Sequence, residues 1–270
     1  MSIVPGKGPN ATAGAVAEAL EGRGIAEGNA DQSPALRTQC RAGASQGLAG
    51  VREAAQRDHG LRFTALLHHV TPQLLMESYY ALSHDAAAGV DGVTWAQYGE
   101  GLAARIERLH RAVHQGSYRA QPSRRSYIPK ADGSRRPLGI AALEDKIAQQ
   151  ALVRVLSAVY EQDFLGFSYA FRAGRSQHDA LDALSVALMS RKLNWILDAD
   201  IAAFFDRIDH EWMLKILGHR IGDRRVLRLV RKWLTVGVVE EGKRRVSTRG
   251  TPQGAVITPR TQRETSSLSV

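Results

Sequence analysis

A chain of 270 residues with 44% hydrophobic side chains is long and apolar enough to bury a sizeable core in one or two domains. Its single cysteine, Cys40, excludes an intrachain disulfide and a thiol–metal cluster and fits a reducing, cytosolic compartment. No apolar run reaches the ~18 residues of a membrane span, and the N-terminus lacks the apolar core of a secretion signal, so the net charge of +9 points to a polyanion, nucleic acid before a membrane surface.

The charge is concentrated. From Lys215 to Gly250 eleven Lys/Arg stand against three acids, a net +8, while the rest of the chain is nearly balanced. A local patch of this kind suits a bound strand.

Residues 1 to about 59 are rich in Gly, Ala, Gln and Ser and hold no aromatic residue, so they read as mostly disordered, with a short helix at 13–20. Phe63, Leu66, Leu67 and Val70 recur at helical spacing, and Pro72 opens a second helix carrying Leu74, Leu75, Tyr79 and Leu82. Gly89-Val90-Asp91-Gly92 is a turn, and the helical pattern returns from Leu102 to Val113. At Ser126 the texture changes. Ser126–Lys130 and Arg135–Ile140 read as the two strands of a hairpin turned by Asp132-Gly133. An amphipathic helix follows from Leu143 to Tyr160, then another from Ser176 to Met189, with Ser176 and Asp179 spaced as a capping box. Trp195-Ile196-Leu197 is a short apolar strand running into Asp198-Ala199-Asp200. Helices are expected from Asp209 and from Asp223 to Leu234, and a last pair of strands flanks Glu241-Gly242. Helices and strands mixed without βαβ regularity indicate an α+β fold.

On a strand, Asp198 and Asp200 share one face, and carboxylates at the mouth of a buried strand suit a divalent cation as readily as a solvated helix cap. Lys130 and Arg136 stand on opposite arms of the hairpin, where a point charge and a planar fork together suit a triphosphate. Gly250-Thr251-Pro252-Gln253-Gly254 is a glycine-hinged loop presenting an amide.

In this order, the blocks Ala88–Thr94, Tyr127–Ile140, Leu143–Ile147, Phe167–Ser176, Asp198–His210 and the Thr-Pro-Gln-Gly loop resemble group II intron-type reverse transcriptases over Leu61 to Pro259. The resemblance implies the fingers and an incomplete palm of a right-hand polymerase. It divides the chain into a tail (1–59), a helical extension of the fingers (60–125), the reverse transcriptase domain (126–259) and a tail that departs from the pattern (260–270). It further implies Asp200 as the first catalytic carboxylate, Mg²⁺ held at Asp200 and Ile201, and Lys130, Arg136, Phe205 and Gln253 around the incoming nucleotide. Phe205 would be the ring that crowds a ribose 2′-hydroxyl, and Arg172 and Arg175 would touch the template. The implied partners are an RNA template, a DNA primer and deoxynucleoside triphosphates, in the cytoplasm and away from membranes. The rival expectation is an RNA-binding, maturase-like fragment without chemistry.

Four departures qualify the resemblance. Ala170, Ala173 and Ala203 stand where such enzymes carry Gly, Pro and Gly. After Val256-Ile257-Thr258-Pro259 the family continues to a Tyr-Ala-Asp-Asp strand pair, whereas here a polar, Ser/Thr-rich run from Arg260 to Val270 follows, as out-of-frame reading or a gene remnant gives. The expectation is a chain that does not polymerise alone.

Overall fold

The computed structural model describes residues 47–129, 133, 135–170, 172, 174–190, 195–199, 201 and 204–251. Its centre is helix α5, Leu143–Tyr160. Ile147, Ala151, Leu152, Val155 and Val159 on this helix are fully buried. At ~1.5–3 kcal/mol per buried Ile, Leu or Val side chain, packing rather than helix propensity holds it in place. In chain order before it come α1 (47–57), α2 (Pro72–Tyr80), α3 (Trp95–Gly99) and α4 (Leu102–Gln115). Helix α2 packs on both α4 and α5. After α5 follow α6 (Gln177–Ser190), the single turn α7 (Phe204–Arg207), α8 (His210–Arg220) and α9 (Arg224–Thr235).

The strands are β1 (Ser123–Pro129), β2 (Arg135–Ile140), β3 (Val238–Glu240) and β4 (Lys243–Arg245), in the order β2-β1-β3-β4. The two hairpins, β1–β2 and β3–β4, are antiparallel and join through a short parallel pairing of Ser123 with Val238 and Arg124 with Val239. The architecture is α+β, as expected. No helix among the described residues is long and apolar enough to cross a membrane.

Two local differences from the sequence reading have physical causes. Helix α1 lies inside the stretch expected to be mostly disordered, and it buries Leu48, Val51 and Ala55 in the core without any aromatic residue. Phe63 to Val70 do not form the expected helix. Only Leu67–His69 make a tight 3₁₀ turn. Phe63 instead pairs with Ile221, its carbonyl accepting from Gly222 and Asp223 N–H, while the N–H groups of Leu66 and Leu67 donate to the Asp223 carboxylate. That carboxylate also accepts from the Arg225 N–H as the cap of α9, and these three backbone N–H groups outweigh burial and lower its pKa.

Arg220 closes the same corner. Its guanidinium grips Asp163 at 2.9 and 3.2 Å, donates to the carbonyls of Leu61 (2.7 Å) and Asp58 (3.1 Å), and lies over the Phe63 ring. A buried arginine satisfied on every side costs far less than an unpaired one.

Candidate nucleotide and nucleic-acid site

The hairpin forms with Ile128 opposite Arg136 and Pro129 opposite Arg135. Arg136 is exposed, at the turn end of the β2 face that continues through buried Leu138 to Ile140. On that same face Arg124 donates two hydrogen bonds to the Ala88 carbonyl, at 2.8 and 3.1 Å. Lys146 donates to the neighbouring Ala87 carbonyl at 2.7 Å, and burial lowers its pKa. Gly89 packs so closely on Ala142 that an added Cβ would sit 2.5 Å from its Cα. The Ala88–Thr94 block, the hairpin and the start of α5 therefore form one unit. Lys130 lies outside the described residues.

Arg172 is nearly buried. It pairs with Glu161 at 2.6 Å, donates to the carbonyls of Leu165 and Ser168, both at 3.0 Å, and covers the Phe164 ring. Arg175 is exposed, over the Tyr169 ring, with one bond to the Gly166 carbonyl at 2.8 Å. The first arginine anchors this turn and the second presents its charge outward. The capping box is present: Ser176 N–H donates to Asp179, and Asp179 N–H to the Ser176 hydroxyl, which holds the carboxyl below its usual range.

Trp195, Ile196 and Leu197 are 93%, 62% and 90% exposed and form no strand with any described segment. A strand exists only through a paired edge, which an apolar tripeptide cannot supply by itself. Asp198 is exposed and Ile201 is 64% exposed, while Asp200 lies outside the described residues. Carboxylate and carbonyl oxygens are the donors that a hard cation such as Mg²⁺ takes. Among the described residues no group of three or more His, Cys, Asp or Glu side chains is placed to hold a metal. Helix α6 is uncovered in the same way: none of its described side chains is buried, and Leu181, Val186 and Met189 are exposed.

Phe205 sits in the helical turn α7. Its ring is half-buried. The loop leading to Gln253 is tied to this turn. Thr251 N–H donates to the Phe205 carbonyl at 2.8 Å, Gly250 N–H to the Ile208 carbonyl at 2.7 Å, and Arg249 pairs with Asp209. The buried His210 ring contacts the Gly250 carbonyl through Nε2 at 2.6 Å. Gly250 has φ +76°, and a Cβ there would lie 2.8 Å from the carbonyl oxygens of both Phe205 and Asp206. Gln253 itself lies outside the described residues. The docking roles of His210 and Thr251 escaped the sequence reading, although both lie within the blocks it picked out. Asp209 announces the start of α8, but nothing local says that the next residue turns inward to hold a loop forty residues away.

Residues 128–262 match the reverse transcriptase (RNA-dependent DNA polymerase) family. Among curated proteins, Protein YkfC of Escherichia coli (strain K12) is 36% identical over 212 residues, which are 76% of this chain and 56% of that protein. The group II intron-encoded protein LtrA of Lactococcus lactis subsp. cremoris is 30% identical over 199 residues, 73% of this chain and 33% of that one. Among solved structures, a Cas6-RT-Cas1--Cas2 complex aligns at 18% identity and a TM-score of 0.47, covering 73% of this chain and 20% of that one. The chain thus spans about half of YkfC and a third of LtrA. It belongs to the reverse transcriptase family, with the group II intron-encoded proteins among its relatives.

Proposed function

We propose that this chain supplies the fingers and the first palm carboxylate of an RNA-directed DNA polymerase of group II intron type. The observation that supports the reading best is the docking of Arg249-Gly250-Thr251 on Phe205–His210, which ties the loop leading to Gln253 to the turn that follows Asp200. In this reading Lys130 and Arg136 neutralise the incoming triphosphate, Gln253 lines the nucleotide pocket, and Phe205 lies beneath the sugar and excludes a 2′-hydroxyl. Arg175 meets the template backbone from the turn that Arg172 anchors. Asp200 and the Ile201 carbonyl would hold Mg²⁺, which when bound stabilises charge on the attacking and leaving oxygens in the two-metal chemistry of the full-length family. The substrates are an RNA template, a DNA primer and deoxynucleoside triphosphates.

A second reading, RNA binding without chemistry, is favoured by α9. Val226, Leu229, Val230, Trp233 and Leu234 are buried on one face, while Arg224, Arg225, Arg228 and Arg231 are exposed on the other.

Both readings require salt-sensitive binding to single-stranded RNA, with log affinity falling by about 0.7 per phosphate contact for each decade of salt. Binding that stays flat between low and moderate salt sinks both. Primer extension by the 270-residue polypeptide is expected at background, because it holds no Tyr-Ala-Asp-Asp carboxylates. A polypeptide joined to the remaining palm and thumb of a relative should extend a primer and lose that activity in Asp200→Asn. Activity that survives Asp200→Asn overturns the catalytic reading.

A further inference from the structure

A cleft of about 500 Å³ lies at the end of β1 opposite the hairpin turn, roughly 20 Å along the strand at 3.3 Å per residue. Its walls are the segment 116–120 between α4 and β1, the last turn of α9, and Arg244 of β4. Arg119, Lys232 and Arg244 line it, and among the described residues no carboxylate does.

Two of these cations are fixed in advance. Lys232 Nζ donates to the carbonyls of Tyr118 (2.6 Å) and Gly116 (3.0 Å), which leaves one of its three N–H groups. Arg244 donates Nε and Nη2 to the Val236 carbonyl at 3.3 and 3.2 Å, which leaves three of its five N–H groups, two on Nη1 and one on Nη2. Arg119 is exposed and makes no hydrogen bond or ion pair among the described residues. Neighbouring cations differ: Arg225 pairs with Asp223, Arg231 with Glu211 and Arg245 with Glu240. The three positive charges of the cleft have no acidic partner among the described residues.

Converging cations, two of them held by backbone carbonyls, form a site for a tetrahedral oxyanion, because little side-chain freedom remains to be lost when the anion arrives. We propose that this cleft binds a phosphate group, and that its source is a phosphodiester of the bound RNA strand, gripped away from the nucleotide-addition site. The source rests on the nucleic-acid reading above; the phosphate chemistry does not.

The test uses the full chain and two probes, a labelled oligouridylate and inorganic phosphate. Arg119→Ala removes a side chain with no partner among the described residues, Arg244→Gln keeps most of its volume, and Arg52→Ala removes one exposed charge from α1 as a matched comparison. Arg119→Ala and Arg244→Gln should each weaken oligouridylate binding by about tenfold and lower the salt slope by about 0.7, well beyond Arg52→Ala. Inorganic phosphate should raise the melting temperature of the parent chain more than that of either cleft variant. If the parent fails to bind oligouridylate but keeps an Arg119-dependent response to phosphate, a free anion is the source and the nucleic-acid reading falls instead. Equal oligouridylate affinities in cleft variants and Arg52→Ala, together with equal phosphate responses, overturn the site while leaving RNA binding intact. A parent chain that responds to neither probe overturns it as well.

Discussion

Asp145 offers a test of how the core is built at the N-terminal end of α5. Its carboxyl is 2% exposed, accepts a short hydrogen bond from the Tyr118 hydroxyl, and accepts the Gln121 N–H at 2.9 Å. Trp233 Nε1–H completes the network by donating to the Tyr118 oxygen at 2.9 Å. Burial dominates these hydrogen bonds and pushes the carboxyl from its ordinary 3.8 to about 6. Because the folded-state value is raised, the contribution to stability is complete below pH 3.8 and is lost as pH rises through 6. In that window the unfolded chain has released its proton while the native chain still holds it. At about 1.36 kcal/mol per pH unit the loss is roughly 3 kcal/mol, or roughly 6–12 °C in Tm for a domain of this size. Asp145→Asn removes the titration and keeps the shape. The stability gap between the parent and this variant, measured by thermal or urea unfolding from pH 3.5 to 7, should move by that amount in favour of the variant as pH rises. His69 and His110, whose pKa values burial lowers, push parent stability the other way over the same range, and the pairwise comparison cancels them. Parallel stability curves for parent and variant would refute the reasoning.

Two further substitutions probe the candidate site. Gly250→Ala places a side chain at φ +76° against two carbonyl oxygens, so chemical denaturation should show a loss of at least ~1–2 kcal/mol, and a change within about 0.5 kcal/mol would contradict the packing. In a polypeptide completed with the palm and thumb of a relative, Phe205→Val should raise ribonucleotide use relative to deoxynucleotide use by roughly 30- to 1,000-fold, the equivalent of about 2–4 kcal/mol. If the melting temperature falls and sugar preference does not move, Phe205 is a packing residue.

Elements defined by local chemistry were legible in the sequence. Helix α5 runs from Leu143 to Tyr160 as its apolar face indicates, Asp223 caps α9, and Ser176 and Asp179 form their box, because each rests on residues within a turn or two of one another. The failures rest on distant partners. Phe63 and the N–H groups of Leu66 and Leu67 make their hydrogen bonds with residues 220–223, about 160 positions away, so helical spacing there reports burial rather than helix. Trp195 to Leu197 have strand composition, but pairing belongs to two segments, and composition describes one. The order of the family blocks led to the candidate site, yet its supports, His210 under Gly250 and Lys146 under Ala87, were invisible because each holds a backbone carbonyl, which leaves no trace in side-chain pattern.

The Arg220 corner also sets a timetable for synthesis. The carbonyls of Asp58 and Leu61 meet this guanidinium across 162 and 159 residues of chain. At 5–20 residues per second, a ribosome needs roughly 8–30 s to make the intervening sequence. Through that interval the end of α1, whose Ala55 carbonyl also accepts from this guanidinium, has left or is leaving the exit tunnel with no Arg220 to hold it, so the first of the described helices to be made is among the last to be fastened.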